Sequence, residues 1–129
     1  IVDDLGRLNR LESLWLDEND FTGAIPSSLG NLDRLKVLFV DKNRLSGLVP
    51  SRLGLLSNLE ELRLHDNDLS GTVPDGICNL FVDGFGSLDG LSADCCNGDV
   101  YCVGGEDGEG EEEVVCPCCT CCGEECFER

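Results

Sequence analysis

A period of 24 residues runs through the first three-fifths of the chain and constrains its fold more than any other feature. Residues 5–28, 29–52 and 53–76 align without a gap, and each reads L-G-x-L-x-x-L-x-x-L-x-[LV]-x-x-N-x-[FL]-[ST]-G-x-[IV]-P. A unit of this length makes one coil that cannot bury its own leucines, so neighbouring coils must bury them. The repeat therefore predicts a solenoid of stacked coils.

Each repeat contains one short stretch in which apolar and outward-facing residues alternate. The three stretches are residues 14–16, 38–40 and 62–64. A period of two predicts a short strand with its leucines pointing inward. Stacking the three copies predicts a short parallel sheet on the concave side of a horseshoe, with an irregular or 3-10 convex side.

The repeat pattern weakens after Gly76 and then returns. It slips by five residues, after which Leu91 and Ala93 occupy the positions of the inward strand residues one coil earlier. We therefore predict a degenerate fourth repeat, so that the repeat array comprises residues 1–93. Residues 94–129 are predicted to form an acidic, cysteine-rich C-terminal cap or tail.

An asparagine recurs where each predicted strand turns away from the sheet, as Asn19, Asn43 and Asn67. Such a bend leaves backbone groups facing the interior, and an amide side chain can both donate to them and accept from them. We therefore interpret the three asparagines as a structural ladder rather than as ligand contacts. A glycine and a proline follow each asparagine. The glycine allows backbone conformations that a Cβ would exclude, and the proline fixes its own φ angle.

The run Asn-x-[Leu/Phe]-[Ser/Thr]-Gly-x-[Ile/Val]-Pro, present at residues 19–26, 43–50 and 67–74, resembles the plant-type leucine-rich repeat. Proteins with this repeat include receptor-like kinase ectodomains, polygalacturonase-inhibiting proteins and algal secreted proteins. The resemblance covers residues 5–76 and implies an α/β-type leucine-rich repeat solenoid in an extracellular setting. Because the sequence starts inside an uncapped repeat, we expect it to be a C-terminal piece of a longer protein.

Acidic residues are unevenly distributed along the chain. The net charge is −17, of which residues 1–76 hold −5 and residues 77–129 hold −12. An acidic surface repels phosphate backbones, so nucleic acid is a poor partner, whereas basic proteins and divalent cations remain candidate partners. Solubility is the simpler explanation of the acidic tail. No apolar run approaches about 18 residues, so we predict no transmembrane segment in this chain, while the parent could still carry a membrane anchor.

All ten cysteines lie beyond the three regular repeats. They are Cys78, Cys95, Cys96, Cys102, Cys116, Cys118, Cys119, Cys121, Cys122 and Cys126. An even number crowded after a solenoid predicts a disulfide-stapled cap and hence an oxidising compartment. Adjacent cysteines are too close to pair with each other, so we expect Cys78 to pair with Cys95 or Cys96 and leave the other pairings open.

A thiolate metal site is the competing interpretation of the tail. Six cysteines fall within residues 116–126, a density suited to zinc or copper(I) in a reducing cell. The spacing lacks the paired Cys-x2-Cys knuckles of ordinary zinc sites, and no histidine is nearby. We therefore favour disulfides and predict no metal and no cofactor. The acidic stretch at residues 104–113 does not match a calcium-binding EF-hand loop and is predicted to be a solvated loop.

Outward side chains of the predicted strands form columns across the sheet, with neighbours about 4.8 Å apart. One column consists of Trp15, Phe39 and Arg63, with Arg63 placed to lie over the Phe39 ring. Because Trp and Arg are enriched among residues that carry binding energy, we predict a ligand contact here. The alternative is that the two aromatic rings merely cover each other. The adjoining column is predicted to flank the same ligand and consists of Asp17, Asp41 and His65.

These columns do not predict catalysis. Asp17 and Asp41 have the spacing of a glycosidase carboxylate pair, but an open sheet has no cleft in which to shift a pKa. His65 has no serine or cysteine partner in a recognisable elbow. We therefore predict a non-enzymatic extracellular recognition module that binds a protein, peptide or glycan through its concave face. Two alternatives stay open: a structural cap segment of a longer receptor-like ectodomain, and thiolate metal binding by the tail.

Overall fold

The computed structural model describes residues 1–71, 73–80, 88 and 90–93. In chain order the elements are a 3-10 helix at Asp3–Arg7, β1 (Ser13–Trp15), β2 (Thr22–Gly23), a 3-10 helix at Ser27–Asn31, β3 (Val37–Phe39), β4 (Arg44–Leu48), a 3-10 helix at Ser51–Leu55, β5 (Glu61–Arg63), β6 (Asp68–Ser70), α1 (Asp75–Cys78) and β7 (Gly90–Ser92). The predicted cap at residues 94–129 and the domain boundary before it lie outside the described residues, so both stay predictions.

The concave sheet consists of four parallel strands in the order β1-β3-β5-β7. Its register places Trp15 opposite Phe39, Phe39 opposite Arg63, and Arg63 opposite Ser92. The last strand pairs Leu91 with Leu62, as the fourth repeat requires. This register confirms the predicted parallel sheet and aligns equivalent side chains of all four coils.

A second parallel sheet, which the sequence did not predict, follows the asparagine turn. It consists of β2, β4 and β6 in that order. A glycine with φ near +80° lies in or directly after each of these strands, at Gly23, Gly47 and Gly71. The segments are short and contain no apolar alternation, so the sequence gives no strand signal for them. Their backbone hydrogen bonds form because one coil stacks on the next.

The convex side carries the short helices. Each of the last three begins directly after a proline with φ between −61° and −65°, at Pro26, Pro50 and Pro74. Proline at this point fits the helical φ and removes an N–H that would have no partner. The predicted 3-10 convex side is thus confirmed.

Leucines of the second and third coils form the centre of the core. Leu38 and Leu62 are fully buried, as are their counterparts in the helical turns. The equivalent Leu14 of the first coil is only partly buried, because just one neighbouring coil covers it. Burial in this molecule therefore depends on having a coil on both sides.

Candidate ligand-binding face

Trp15, Phe39 and Arg63, hereafter the concave strip, form one continuous stack across three strands. The Trp15 and Phe39 rings are stacked, with their centroids 6.0 Å apart and an interplanar angle of 17°. The Arg63 guanidinium carbon lies 4.0 Å from the centroid of the Phe39 ring, which is a cation–π contact. The register of the sheet thus turns three separate outward residues into a π–π–cation array.

The strip is exposed but held in place. Trp15 is 69% exposed, whereas Phe39 is half-buried between its two neighbours. Arg63 also contacts Glu61, whose Oε2 lies 3.4 Å from its Nη2. A side chain with contacts on two sides loses less conformational entropy when a partner binds it. The strip therefore presents apolar area and one positive charge in a preset arrangement.

Asp41 is buried, although the sequence predicts an outward side chain at this position. The sequence places it among outward side chains that flank a ligand, but the residue is only 4% exposed. Coils on both sides cover it, and its Oδ2 lies 3.5 Å from His65 Nε2. Its other oxygen, Oδ1, has no hydrogen-bond partner within the described residues. Asp41 therefore lies beneath the face, while Asp17, in the end coil, stays partly exposed.

His65 has a partner that sequence analysis missed. The Ser92 hydroxyl oxygen lies 2.7 Å from His65 Nδ1, within hydrogen-bond distance. Ser92 is the fourth member of the concave-strip column, directly after Arg63 in the sheet register. Extending the columns to the fourth strand would have found it, since the repeat pattern already places Leu91 and Ala93 inward. His65 thus connects the fourth coil to the buried carboxylate of Asp41.

Acidic side chains of the first coil pair with basic side chains of the second. The pairs are Glu12 with Lys36 at 3.3 Å, Glu18 with Lys42 at 2.7 Å, and Asp20 with Arg44 at 3.1 Å. The side-chain hydrogen bond and positive charge of Lys42 lower the pKa of the Glu18 carboxyl, and Glu18 in turn raises the pKa of Lys42. Asp17 takes no part in this pattern, because its counterpart one coil later is Asp41, another acid.

The asparagines lie in the turns that support this face. Asn43 Nδ2 donates to the carbonyl oxygens of Leu16, Val40 and Asp41 at 2.8, 3.2 and 3.0 Å. Asn43 Oδ1 accepts from the Phe21 N–H of the preceding coil at 3.0 Å. Asn67 makes the same set of contacts one coil later, while the side-chain bonds of Asn19 stay within its own coil. The bonds of Asn43 and Asn67 connect each coil to the one before it.

The turns also strain one residue per coil. Glu18, Lys42 and Asp66 each have φ between 52° and 54°, the left-handed region that costs a residue with a Cβ about 1 kcal/mol. They lie shortly after the concave strands, where the chain turns away from the sheet. Sequence analysis did not predict this conformation, since none of them is a glycine.

The described residues contain no group of three or more His, Cys, Asp or Glu side chains arranged to hold a metal ion. No helix among them is long and apolar enough to cross a bilayer. Cys78 is disulfide-bonded, but its predicted pairing with Cys95 or Cys96 falls outside the described residues, together with the other nine cysteines.

Comparison with known proteins identifies the repeat. The family model of the leucine-rich repeat matches residues 9–69. The structure is similar to the plant peptide hormone receptor RGFR1 in complex with RGF2, at 37% identity and a TM-score of 0.65, covering 70% of this chain and 14% of that one. It is also similar to the Arabidopsis receptor kinase HAESA in complex with the peptide hormone IDA and the co-receptor SERK1, at 38% identity and a TM-score of 0.61, covering 73% of this chain and 16% of that one.

A third similar structure is the BIR2 ectodomain from Arabidopsis thaliana. It is 32% identical, with a TM-score of 0.57, and the match covers 71% of this chain and 50% of that one. The chain thus spans half or less of the length of each of these three proteins. No curated protein sequence matches it significantly.

Proposed function

Because this chain is a leucine-rich repeat protein of the plant type, we propose that it is a non-enzymatic extracellular recognition module that binds a peptide or protein segment through its concave face. The observation that carries the proposal is the concave strip. Its stacked rings and guanidinium are the side-chain types enriched among binding hot spots. Restraint by Phe39 and Glu61 prepares the two ends of the strip for contact.

The four described strands of the concave sheet match the span of a short extended peptide segment. Four strands about 4.8 Å apart make a sheet roughly 15 Å across. An extended chain advances about 3.3 Å per residue, so about four or five residues of a peptide cross the sheet. A standard interface of about 800 Å² per partner would require further coils beside these four strands. The two similar receptors that are described with a peptide hormone support the same ligand class.

The geometry of the charged groups supports a role without catalysis. Ser92, His65 and Asp41 are the residue types of a hydrolytic triad. However, the 3.5 Å between His65 Nε2 and Asp41 Oδ2 is longer than a hydrogen bond that would orient the imidazole. Asp41 is also only 4% exposed, so its carboxylate is poorly accessible to a substrate. We assign Asp41, His65 and Ser92 to support of the face.

An extracellular location completes the proposal. Support comes from the peptide hormone receptor, the receptor kinase and the ectodomain among the similar structures. The disulfide at Cys78 is consistent with an oxidising compartment, where such bonds persist. Thiolate metal binding by the six cysteines of residues 116–126 is the alternative, and it requires a reducing compartment instead.

Peptide display tests the proposal without a known ligand. A library of random short peptides is selected on the full chain, and the affinity of each enriched peptide is then measured for Trp15→Ala and Arg63→Ala. We expect losses of about 30-fold, which corresponds to a hot spot of about 2 kcal/mol. Leu55→Ala is the matched control, because Leu55 is 65% exposed on the convex side.

Circular dichroism of each variant shows that the solenoid is intact before its affinity is interpreted. Enriched peptides that bind both concave variants as tightly as the parent chain would contradict the proposal. That result would favour the alternative in which this segment closes a longer ectodomain and recognition takes place elsewhere.

A further inference from the structure

Val37 and Phe39, hereafter the apolar pair, are the two outward residues of β3, and both stay partly exposed. β3 has a neighbouring strand on each side, β1 and β5. The area that remains exposed on the apolar pair therefore faces the concave side, and a further coil before β1 would not cover it. A strand whose outward residues are both apolar offers a ligand surface that water solvates poorly.

Both faces of the Phe39 ring are already covered within the protein. Trp15 and Arg63 are its register partners on the two neighbouring strands, so they approach the ring from opposite sides. The Trp15 ring stacks on one side at 6.0 Å between centroids, and the Arg63 guanidinium carbon lies 4.0 Å from the centroid on the other. A cation or a flat ring binds an aromatic side chain through its face. Phe39 therefore offers a ligand only its edge, which is the positive part of the ring quadrupole and does not attract a cation.

Charges of both signs lie directly beside the apolar pair. In the sheet register Glu61 is the partner of Val37, and Arg63 is the partner of Phe39. These two charged side chains approach each other, with 3.4 Å between Glu61 Oε2 and Arg63 Nη2. A base of the ligand placed over the pair would meet Arg63, and an acid would meet Glu61. Either charge would also lose hydration on an apolar surface, a cost that an uncharged side chain does not have.

From these observations we infer that the apolar pair is a subsite for one uncharged aliphatic side chain, such as leucine or isoleucine, of the peptide partner. This inference rests on the proposed function, since it names the chemistry of the ligand residue at the centre of the concave face. Outward residues of one strand are about 7 Å apart, so one leucine-sized side chain can contact both members of the pair.

The subsite opposes the charge preference of the molecule as a whole. The net charge of −17 attracts basic partners over long range, without regard to where they bind. At the apolar pair, however, the covered ring faces and Arg63 disfavour a basic side chain. Selection at this position therefore follows apolar area rather than charge.

Matched small peptides test the subsite directly. Acetyl-Gly-Leu-Gly-amide is titrated against the isotope-labelled full chain at about 0.15 M salt, which screens long-range attraction. The same peptide with asparagine, which has nearly the shape of leucine, and the same peptide with lysine are titrated in parallel. The reporter is the indole N–H signal of Trp15, which stacks on Phe39 and belongs to the single tryptophan of the chain.

We expect the leucine peptide to bind about fivefold or more tightly than the asparagine peptide, because each buried CH2 group contributes roughly a factor of four. The lysine peptide should bind no more tightly at this signal than the asparagine peptide. Equal binding of the leucine and asparagine peptides, or tightest binding of the lysine peptide, would overturn the subsite.

Two valine variants separate the subsite from general stickiness. Val37→Thr replaces one methyl group by a hydroxyl group of similar size and should weaken the leucine peptide about threefold, with the asparagine peptide unchanged. Val2→Thr is the matched control, because Val2 is 67% exposed and precedes the first 3-10 helix, outside the concave sheet. Circular dichroism checks that both variants are folded. Equal affinities of the two variants for the leucine peptide would overturn the assignment to the apolar pair.

Failure of the subsite and failure of the proposed function give different results. If the display-selected peptides depend on Trp15 and Arg63 but bind Val37→Thr as tightly as the parent chain, the concave face is a recognition site and the aliphatic subsite is wrong. If neither the selected peptides nor the three small peptides perturb the indole signal, both proposals are wrong.

Discussion

Replacing Asn43 with alanine should destabilise the solenoid by about 3 kcal/mol. Of the groups that Asn43 bonds, the three carbonyl oxygens keep another donor each: Leu16 O keeps Asn19 Nδ2, Val40 O keeps Asn67 Nδ2, and Asp41 O keeps the Glu18 N–H. The Phe21 N–H keeps no partner among the described residues. One unsatisfied donor costs about 1–3 kcal/mol, and each lost hydrogen bond about 0.5 kcal/mol or more, which gives the total.

Asn19→Ala is the control for this prediction. Asn19 makes two hydrogen bonds to carbonyl oxygens of its own coil, at 3.2 and 2.8 Å from Leu16 O and Asp17 O, and it is exposed. Water can replace these bonds, so we expect a loss of about 1 kcal/mol. Urea unfolding of the two variants, followed by circular dichroism, measures the difference. Equal destabilisation by the two variants would refute the reasoning that cross-coil hydrogen bonds make the asparagine necessary.

Three further predictions concern the leucine core, two glycines, and the ion pair of Glu18 with Lys42. Leu62→Ala removes a fully buried side chain and should cost about 2–5 kcal/mol in thermal unfolding, whereas Leu55→Ala on the surface should cost under about 0.5 kcal/mol. Gly30→Ala places a methyl group against the Arg52 carbonyl oxygen and should cost about 1–3 kcal/mol, measured in urea. Gly23→Ala, with φ at +79° but no atom within 4 Å, should cost only the backbone term of about 1 kcal/mol. The hydrogen bond from Lys42 lowers the pKa of the Glu18 carboxyl in the folded state. The ion pair therefore stabilises the fold above the ordinary carboxyl pKa of 4.5, and this stabilisation is lost as the pH falls through the lower pKa of the folded state. The urea midpoints of the parent chain and of Lys42→Gln should therefore converge as the pH is lowered from about 7 to about 2, and a gap that stays constant with pH would contradict this.

The concave sheet followed from sequence because its signal is repeated and local. A period of two inside a period of 24 fixes both which side chains face inward and which strands are neighbours. The stack of Trp15 on Phe39 and the position of Arg63 over that ring needed only this register. The second sheet gave no such signal, since β2 has two residues and neither is a large apolar one.

The exposed fraction of each outward side chain could not be predicted by aligning equivalent positions of the repeats. Asp17 and Asp41 occupy equivalent positions, yet one is partly exposed and the other is 4% exposed, because only the second has a coil on each side. A column alignment treats all coils as equal, while burial depends on position along the stack. Ser92 was missed for a related reason, since the degenerate fourth coil was aligned only through its inward residues.

The most direct test of recognition by the concave strip is the position of a bound peptide. The tightest display-selected peptide is mixed with the full chain, and nuclear Overhauser contacts from the indole ring protons of Trp15 are recorded. The single tryptophan makes the origin of these contacts unambiguous. We expect contacts between the indole ring and peptide side chains, with further contacts to the Phe39 ring. A bound peptide that contacts Leu48 or Leu55 outside the concave sheet, and leaves the indole ring free, would contradict recognition by this strip.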